Sequence, residues 1–273
     1  MSNLPTVWTN CVAGIILAGT LPNVISLVLT AGSISLLYIS GMFLNDAFDQ
    51  EFDRKYRAER PIPTGEISGA AVYKIGFALM FSGLLVLFVS FPRGDAVAFG
   101  LVLSSLIVVY DWSHKRISGS PVLMALCRVM VYFLAAAAAR RAASVDVIGG
   151  AAVLMAYMIG LSYVAKQENF KEIRNLWPLL FLLAPFLYTA RILVRFDPAT
   201  FIYALFLGWT FYALTHLLRK PKNIPRSVVS LIAGISLLDG LLIASVAPES
   251  IWAWWSIAGF GLTILFQRYV PGT

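Results

Sequence analysis

The chain has 273 residues, of which 59% are hydrophobic and 13% charged, with a formal net charge of +7. A mean hydropathy of +0.79 excludes an ordinary soluble domain, and the long apolar runs mean a polytopic membrane protein. No basic, aromatic-interleaved soluble module carries the positive charge, so a nucleic-acid partner is excluded and the excess reads as membrane topology.

Ten apolar stretches are candidate spans: 4–20, 23–44, 68–91, 95–113, 119–140, 146–165, 175–194, 199–218, 226–246 and 250–268. The first is short, so nine spans is the alternative. The chain reads as one all-α transmembrane domain over residues 1–273. No charged segment precedes the first stretch, so a cleaved signal peptide is not expected. Cys11 and Cys127 fall in different spans without metal-ligand spacing, and nothing in the sequence pairs them. With the N-terminus in the cytoplasm, Arg93, Arg140, Arg141, Arg191 and Arg195 lie on the far side and Arg128 inside a span. The other fifteen of the 21 basic residues then face the cytoplasm or flank it. That asymmetry sets the orientation and makes a bacterial cytoplasmic membrane the expected location.

The second stretch ends in N-D-A-F-D-Q-E-F-D, residues 45–53. A helix advances about 100° per residue, so Asn45, Asp46, Asp49 and Asp53 share one arc of about 100°. Three carboxylates and an amide on one face at a span's mouth repel one another unless a cation neutralises them. Mg²⁺ held by a few carboxylates commonly brings substrate phosphates with it. The loop that follows, R-K-Y-R-A-E-R-P-I-P-T-G-E-I at 54–67, joins basic residues to Pro61, Pro63 and Gly65. It reads as a lid able to meet an anion, or as a positive flank with a turn.

Y-D-W-S-H-K-R at 110–116 places Tyr110 with His114, and Asp111 with Lys115, at helical i, i+4 spacing. Lys115 and Arg116 are positioned to clamp a phosphate, or they belong to an interfacial belt. Arg128 lies well inside the fifth stretch, where a charge is costly and faces a water-filled cavity or a partner. Y-V-A-K-Q-E-N-F-K-E-I-R-N at 163–175 sets Glu168 and Glu172 four apart, beside Lys166. These two glutamates are a second acidic plate facing the first, or an ordinary charged helix end.

N-D-A-F-D-Q-E-F-D, R-P-I-P-T-G at 60–65, the Y-x-x-x-x-K-R pattern at 110–116 and Cys127-Arg128 resemble the motifs of the UbiA superfamily of intramembrane prenyltransferases. The resemblance covers most of the first 175 residues. It implies an all-α fold of about nine spans around a lipid-open central cavity. It also implies Mg²⁺-dependent transfer of a prenyl group from a prenyl diphosphate to a lipophilic or aromatic acceptor. Carried over residue by residue, Asn45, Asp46, Asp49 and Asp53 would hold Mg²⁺ and the diphosphate, while Arg60, Lys115 and Arg116 would meet phosphate oxygens. The family's second motif is usually DxxxD; here Glu168 and Glu172 keep its spacing with one more methylene each. The candidate set is therefore Asp46, Asp49, Lys115, Glu168 and Glu172 for catalysis, and Asn45, Arg60, Tyr110, Arg116, Arg128 and Lys166 for substrate binding. Asn45, Asp46, Asp49, Asp53, Glu168 and Glu172 are its metal ligands. Asp239 inside a span and an additional hydrophobic hairpin are similar to UbiA-like members of Ebo-type metabolite-export clusters. A transporter-like binding protein without turnover is therefore a second reading, and an intramembrane terpene cyclase a third.

Overall fold

In membrane helices the backbone is satisfied within the element and side chains are free to face lipid on all sides. The computed structural model follows that rule, and it describes residues 2–92, 94–115, 117, 119–139, 144–166, 177–195, 198–219 and 222–269. The described residues form helices and no strands. In chain order these are α1 (Leu4–Leu17), α2 (Val24–Phe48), α3 (Gln50–Tyr56), α4 (Pro61–Thr64), α5 (Gly69–Ser90), α6 (Ala96–Ser113) and α7 (Ser120–Ala138). Then come α8 (Val145–Lys166), a 3₁₀ segment (Trp177–Leu183), α9 (Ala184–Tyr188), α10 (Ile192–Arg195), α11 (Ala199–Leu218), α12 (Ile224–Val246) and α13 (Ile251–Tyr269).

Seven of these, α2, α5, α6, α7, α8, α11 and α12, are long and apolar enough to cross a membrane. They correspond to seven of the ten predicted spans, and the molecule is an integral membrane protein. α1 is shorter, at 14 residues. α13 has 19 residues, but its tryptophans and the polar end at Gln267 and Arg268 lower its hydropathy. The predicted span 175–194 is corrected. From Trp177 onward it is a 3₁₀ segment followed by two short helices. Pro185 lies inside that stretch and removes a backbone N–H there, which interrupts a continuous helix, whereas Pro178 stands in its first turn.

Helix starts are set by short polar side chains. Asn23 accepts from the Ile25 and Ser26 amides and Ser68 from that of Ala71. Asn223 accepts from the Arg226 amide. Each satisfies N–H groups that have no partner within the helix.

α2 and α5 run antiparallel in close contact. Ser33 Oγ donates to the Gly83 carbonyl at 2.7 Å and Ser40 Oγ to that of Gly76 at 2.8 Å, two turns apart on both helices. A Cβ at Gly76 would meet Leu44 Cδ2 at 2.8 Å, and one at Gly83 would meet Leu37 Cδ2 at 3.0 Å. Small residues let the backbones approach, and hydroxyls join them. This pairing fixes the end of α2, which carries the acidic stripe.

α1 and α7 contribute to both of the large apolar clusters. One cluster joins them to α2, α5 and α6, and the other to α8, α11 and α12. A cavity of about 340 Å³ lies between them, lined from α2, α6, α7, α8 and α12 and by the residues before and within α1.

Candidate functional site

The stripe keeps its helical phase although α2 ends at Phe48. The Asp49 amide donates to the Asn45 carbonyl at 2.9 Å, the Asp53 amide to that of Asp49 at 2.8 Å, and the Arg57 amide to that of Asp53 at 2.8 Å. The i→i+4 ladder thus passes through the Asp49 junction, and the four side chains keep their common side. After Arg57 the chain turns. Pro61 opens α4, and Gly65 adopts φ +81°, a left-handed conformation that reverses the chain at little steric cost. The turn at 57–60, closed by the Arg60 amide donating to the Arg57 carbonyl at 3.1 Å, returns Arg60 to the stripe, where its Nη1 reaches Asp46 Oδ1 at 3.2 Å and Asp53 Oδ2 at 2.9 Å.

The end of α6 closes the other side. Lys115 Nζ is 2.7 Å from Asp49 Oδ1 and His114 Nε2 is 3.6 Å from Asp49 Oδ2. Lys115 Nζ also stands 3.7 Å from the centroid of the Phe52 ring, and the Tyr110 and His114 rings stack at 5.2 Å. Burial acts to raise the Asp49 carboxyl, but the nearby His114 and Lys115 hold it below its ordinary value. The Asp49 carboxylate in turn raises His114, against a smaller opposing effect of burial.

Asn45 Nδ2 donates to Asp111 Oδ1 at 3.1 Å, joining α2 to α6 at the cavity wall. Asn45, Asp46, Tyr110, Asp111 and Arg128 all line the cavity; Asp49 and Asp53 lie outside its lining. Arg128 donates to Asn10 Oδ1 at 3.0 Å. Glu168, Glu172 and Arg116 fall outside the described residues. Lys166 is the last residue of α8, and its side chain is likewise outside them.

Formal charge decides what this region can accept. Asp46, Asp49, Asp53 and Asp111 face Arg60 and Lys115, with Arg57 also acting on Asp46, so among the described residues carboxylates outnumber the lysine and arginine side chains paired with them. Asp49, Asp53 and Asp111 are 7%, 2% and 5% exposed, and Asp53 Oδ1 and Asp111 Oδ2 are buried without a hydrogen-bond partner. Hard oxygen donors, surplus carboxylate groups and unsatisfied carboxylate oxygens fit a divalent cation such as Mg²⁺. Among the described residues no three acidic, histidine or cysteine side chains converge as a metal cluster; the carboxylates are engaged with Arg60 and Lys115 instead.

From sequence, Asp111 is one of three candidate proton acceptors, with Glu168 and Tyr110, and nothing in the spacing chooses among them. Its contact with Asn45 depends on how α2 and α6 pack, which no spacing reports. Thr9, Asn10 and Tyr132, which surround Asp239 and Arg128, gave no signal at all. They are ordinary residues of apolar helices until the fold brings them together.

Comparison with known proteins agrees with this architecture. The family model for UbiA prenyltransferases matches residues 6–270. A digeranylgeranylglyceryl phosphate synthase of Methanoregula boonei is 33% identical over 140 residues, which are 51% of this chain and 44% of that protein. A synthase of the same name from Sulfolobus acidocaldarius is 29% identical over 82 residues, 30% of this chain and 28% of that one. The chain thus spans less than half the length of the curated relatives it matches. Over nearly the whole length, the fold is similar to the apo structure of a UbiA homologue from Aeropyrum pernix K1. The TM-score is 0.52 at 15% identity, with 98% of this chain and 97% of that one covered. A solved digeranylgeranylglyceryl phosphate synthase gives a TM-score of 0.54 at 15% identity, covering 97% and 91%. With the family match extending over almost all of the sequence, the chain belongs to the UbiA prenyltransferase family.

Proposed function

We propose that this protein is a Mg²⁺-dependent intramembrane prenyltransferase that moves a prenyl group from its diphosphate to a small lipophilic or aromatic acceptor. The observation that carries the reading is the surplus of buried carboxylate at the mouth of a largely apolar cavity, flanked by Arg60 and Lys115. Asn45, Asp46, Asp49 and Asp53 would hold Mg²⁺, with Glu168 and Glu172 supplying the opposite plate. Bound there, the cation would neutralise diphosphate oxygens and make the diphosphate a better leaving group.

The remaining chemistry belongs to the chain. Arg60 and Lys115 supply positive charge to the departing diphosphate, which leaves with the electron pair of the allylic C–O bond. Ile34, Leu103, Val131 and Met158 line the cavity and exclude water from the allylic cation. Tyr38 and Tyr110 offer it π faces. The acceptor atom forms the new bond to carbon and loses its proton. Asp111, with its unpartnered Oδ2 at the cavity wall, is placed to take that proton. The basic-residue asymmetry supports a cytoplasmic orientation for the mouth.

The relatives named for digeranylgeranylglyceryl phosphate synthesis motivate geranylgeranyl diphosphate as donor and geranylgeranylglyceryl phosphate as one acceptor to try. The test is incubation of the purified protein with that donor, Mg²⁺ and a panel of lipid and phenolic acceptors, following pyrophosphate and organic products. Release with a prenylated acceptor is the expected result. Release with cyclic hydrocarbon would replace transfer by cyclisation. Binding without release would favour the transporter-like reading, to which the glutamates of the second motif point.

A further inference from the structure

Five polar side chains from three helices meet within the membrane-spanning part of the fold. α1 contributes Thr9 and Asn10, α7 contributes Arg128 and Tyr132, and α12 contributes Asp239. Asp239 is fully buried. Its carboxylate accepts from Thr9 Oγ1, from Tyr132 Oη, and from Asn10 Nδ2 at 2.9 Å to each oxygen. Asn10, also fully buried, turns its Oδ1 to Arg128 Nη1 at 3.0 Å.

The direction of this chain of bonds is fixed by the groups themselves. A guanidinium can only donate and a carboxylate only accept, so the Asn10 amide must present nitrogen to Asp239 and oxygen to Arg128. Among the described residues Asp239 makes no ion pair with Arg128. Hydrogen bonding connects the two through the amide, while their opposite charges still attract across it.

That arrangement leaves Arg128 with capacity to spare. Among the described residues it makes one hydrogen bond, while a guanidinium carries five N–H donors in a planar fork. It lies 5.7 Å from the centroid of the Tyr38 ring and lines the cavity. Had the fold needed only to neutralise an intramembrane arginine, a carboxylate directly on the fork would serve best. Inserting an amide fixes one edge of the fork and leaves the rest free. Arg128 is eight residues past Ser120, the first residue of α7, or roughly 12 Å along the helix. Arg60 and Lys115, the cations for the donor's diphosphate, are at the mouth.

We propose that Arg128 receives an oxyanion of the acceptor, a phosphate or a carboxylate, and that Asn10 and Asp239 are positioning residues that hold it for that ligand. The terms donor and acceptor rest on the prenyl-transfer reading above; the oxyanion site does not.

Equilibrium binding to the full chain in detergent tests the proposal with two matched pairs of probes. Geranylgeranylglyceryl phosphate is compared with geranylgeranylglycerol, and 4-hydroxybenzoate with its methyl ester. The two pairs separate a lipid phosphate from an aromatic carboxylate. The wild-type protein is expected to prefer the anionic member of at least one pair by about tenfold or more. Arg128→Gln should reduce that preference to about twofold or less, Asp239→Asn should reduce it partly, and Arg128→Lys should restore part of it. Affinity for geranylgeranyl diphosphate should stay within about twofold throughout. A merely structural role would not move a ratio between matched ligands. If Asp239→Asn does not fold, Asn10→Ala asks the same question.

The proposal is overturned by an absence of charge preference in the wild type, by a preference that survives Arg128→Gln, or by a parallel loss of diphosphate affinity. Pyrophosphate release with the same probes separates the two claims. Preference without release removes the transfer reading and leaves the site standing. Release without preference removes the site alone.

Discussion

The mouth of the cavity and the packed helix interior behind Arg128 both hold aspartate in an apolar protein, and they compensate it in opposite ways. At the mouth Asp46, Asp49 and Asp53 are paired with Arg60 and Lys115, long side chains that are 19% and 33% exposed. In the interior Asp239 is held by the short, uncharged donors of Thr9, Asn10 and Tyr132. Long cations on flexible stems can change partners when a metal or an anion arrives. Short donors on packed helices cannot. The mouth is therefore built for exchange and the interior for fixed geometry, and the two regions should respond differently to loss of a partner.

The largest expected effect is at the mouth, on binding. Asp46→Ala and Asp49→Ala each remove a carboxylate from the stripe, and each should weaken Mg²⁺-dependent binding of geranylgeranyl diphosphate by about 100-fold. Both proteins should still fold, because Arg60 keeps Asp53 and Lys115 keeps its place over Phe52. Titration calorimetry in detergent checks this, and unchanged affinity in both variants removes the metal-site assignment.

Next in size is an effect on stability in the interior. Asp239→Ala leaves the donors of Thr9, Asn10 and Tyr132 buried without an acceptor and should cost about 2–4 kcal/mol. Thermal unfolding in detergent measures it. A Tm within a degree of the wild type would show that these donors find other partners and that the interior is not the rigid half of the comparison.

The contrast also explains what the sequence discloses. Asn45, Asp46, Asp49 and Asp53 lie within nine residues, so helical periodicity alone aligns them, and the backbone ladder through Asp49 preserves that alignment. Arg128 is visible as a charge inside an apolar stretch, and Asp239 likewise. Their connection is not, because it runs through Asn10 and joins residues more than 100 positions apart. Hydropathy also marks residues 175–194 as a span, since it counts apolar side chains and is blind to the N–H group missing at Pro185. The second acidic motif is legible only as spacing, with Glu168 and Glu172 four apart.

That spacing supports a smaller prediction. If Glu172 belongs to the exchanging region, Glu172→Gln leaves the diphosphate under-neutralised. The Mg²⁺ concentration at half-maximal pyrophosphate release should then rise by about tenfold. An unchanged midpoint would assign the segment to an ordinary charged helix end, leaving the first stripe alone with the phosphate.

The smallest expected effect separates the two regions most sharply. Lys115 Nζ is 2.7 Å from Asp49 Oδ1, a shorter contact than either bond from Asn10 to Asp239. Distance alone would rank it as the stronger tie. Lys115, however, keeps a third of its side chain exposed, so water can replace it, and holding a flexible lysine in one geometry costs entropy. His114 also remains beside Asp49 after Lys115 is removed, so the carboxylate is not left alone. Lys115→Met, which preserves the contact with Phe52, should therefore change stability by less than about 1 kcal/mol. The same variant should slow pyrophosphate release by about 100-fold, since it takes a cation from the departing diphosphate. Thermal unfolding and single-turnover release on one preparation read both quantities. A stability loss as large as that of Asp239→Ala would mean that Lys115 is a fixed strut, and the mouth would no longer be the region built for exchange.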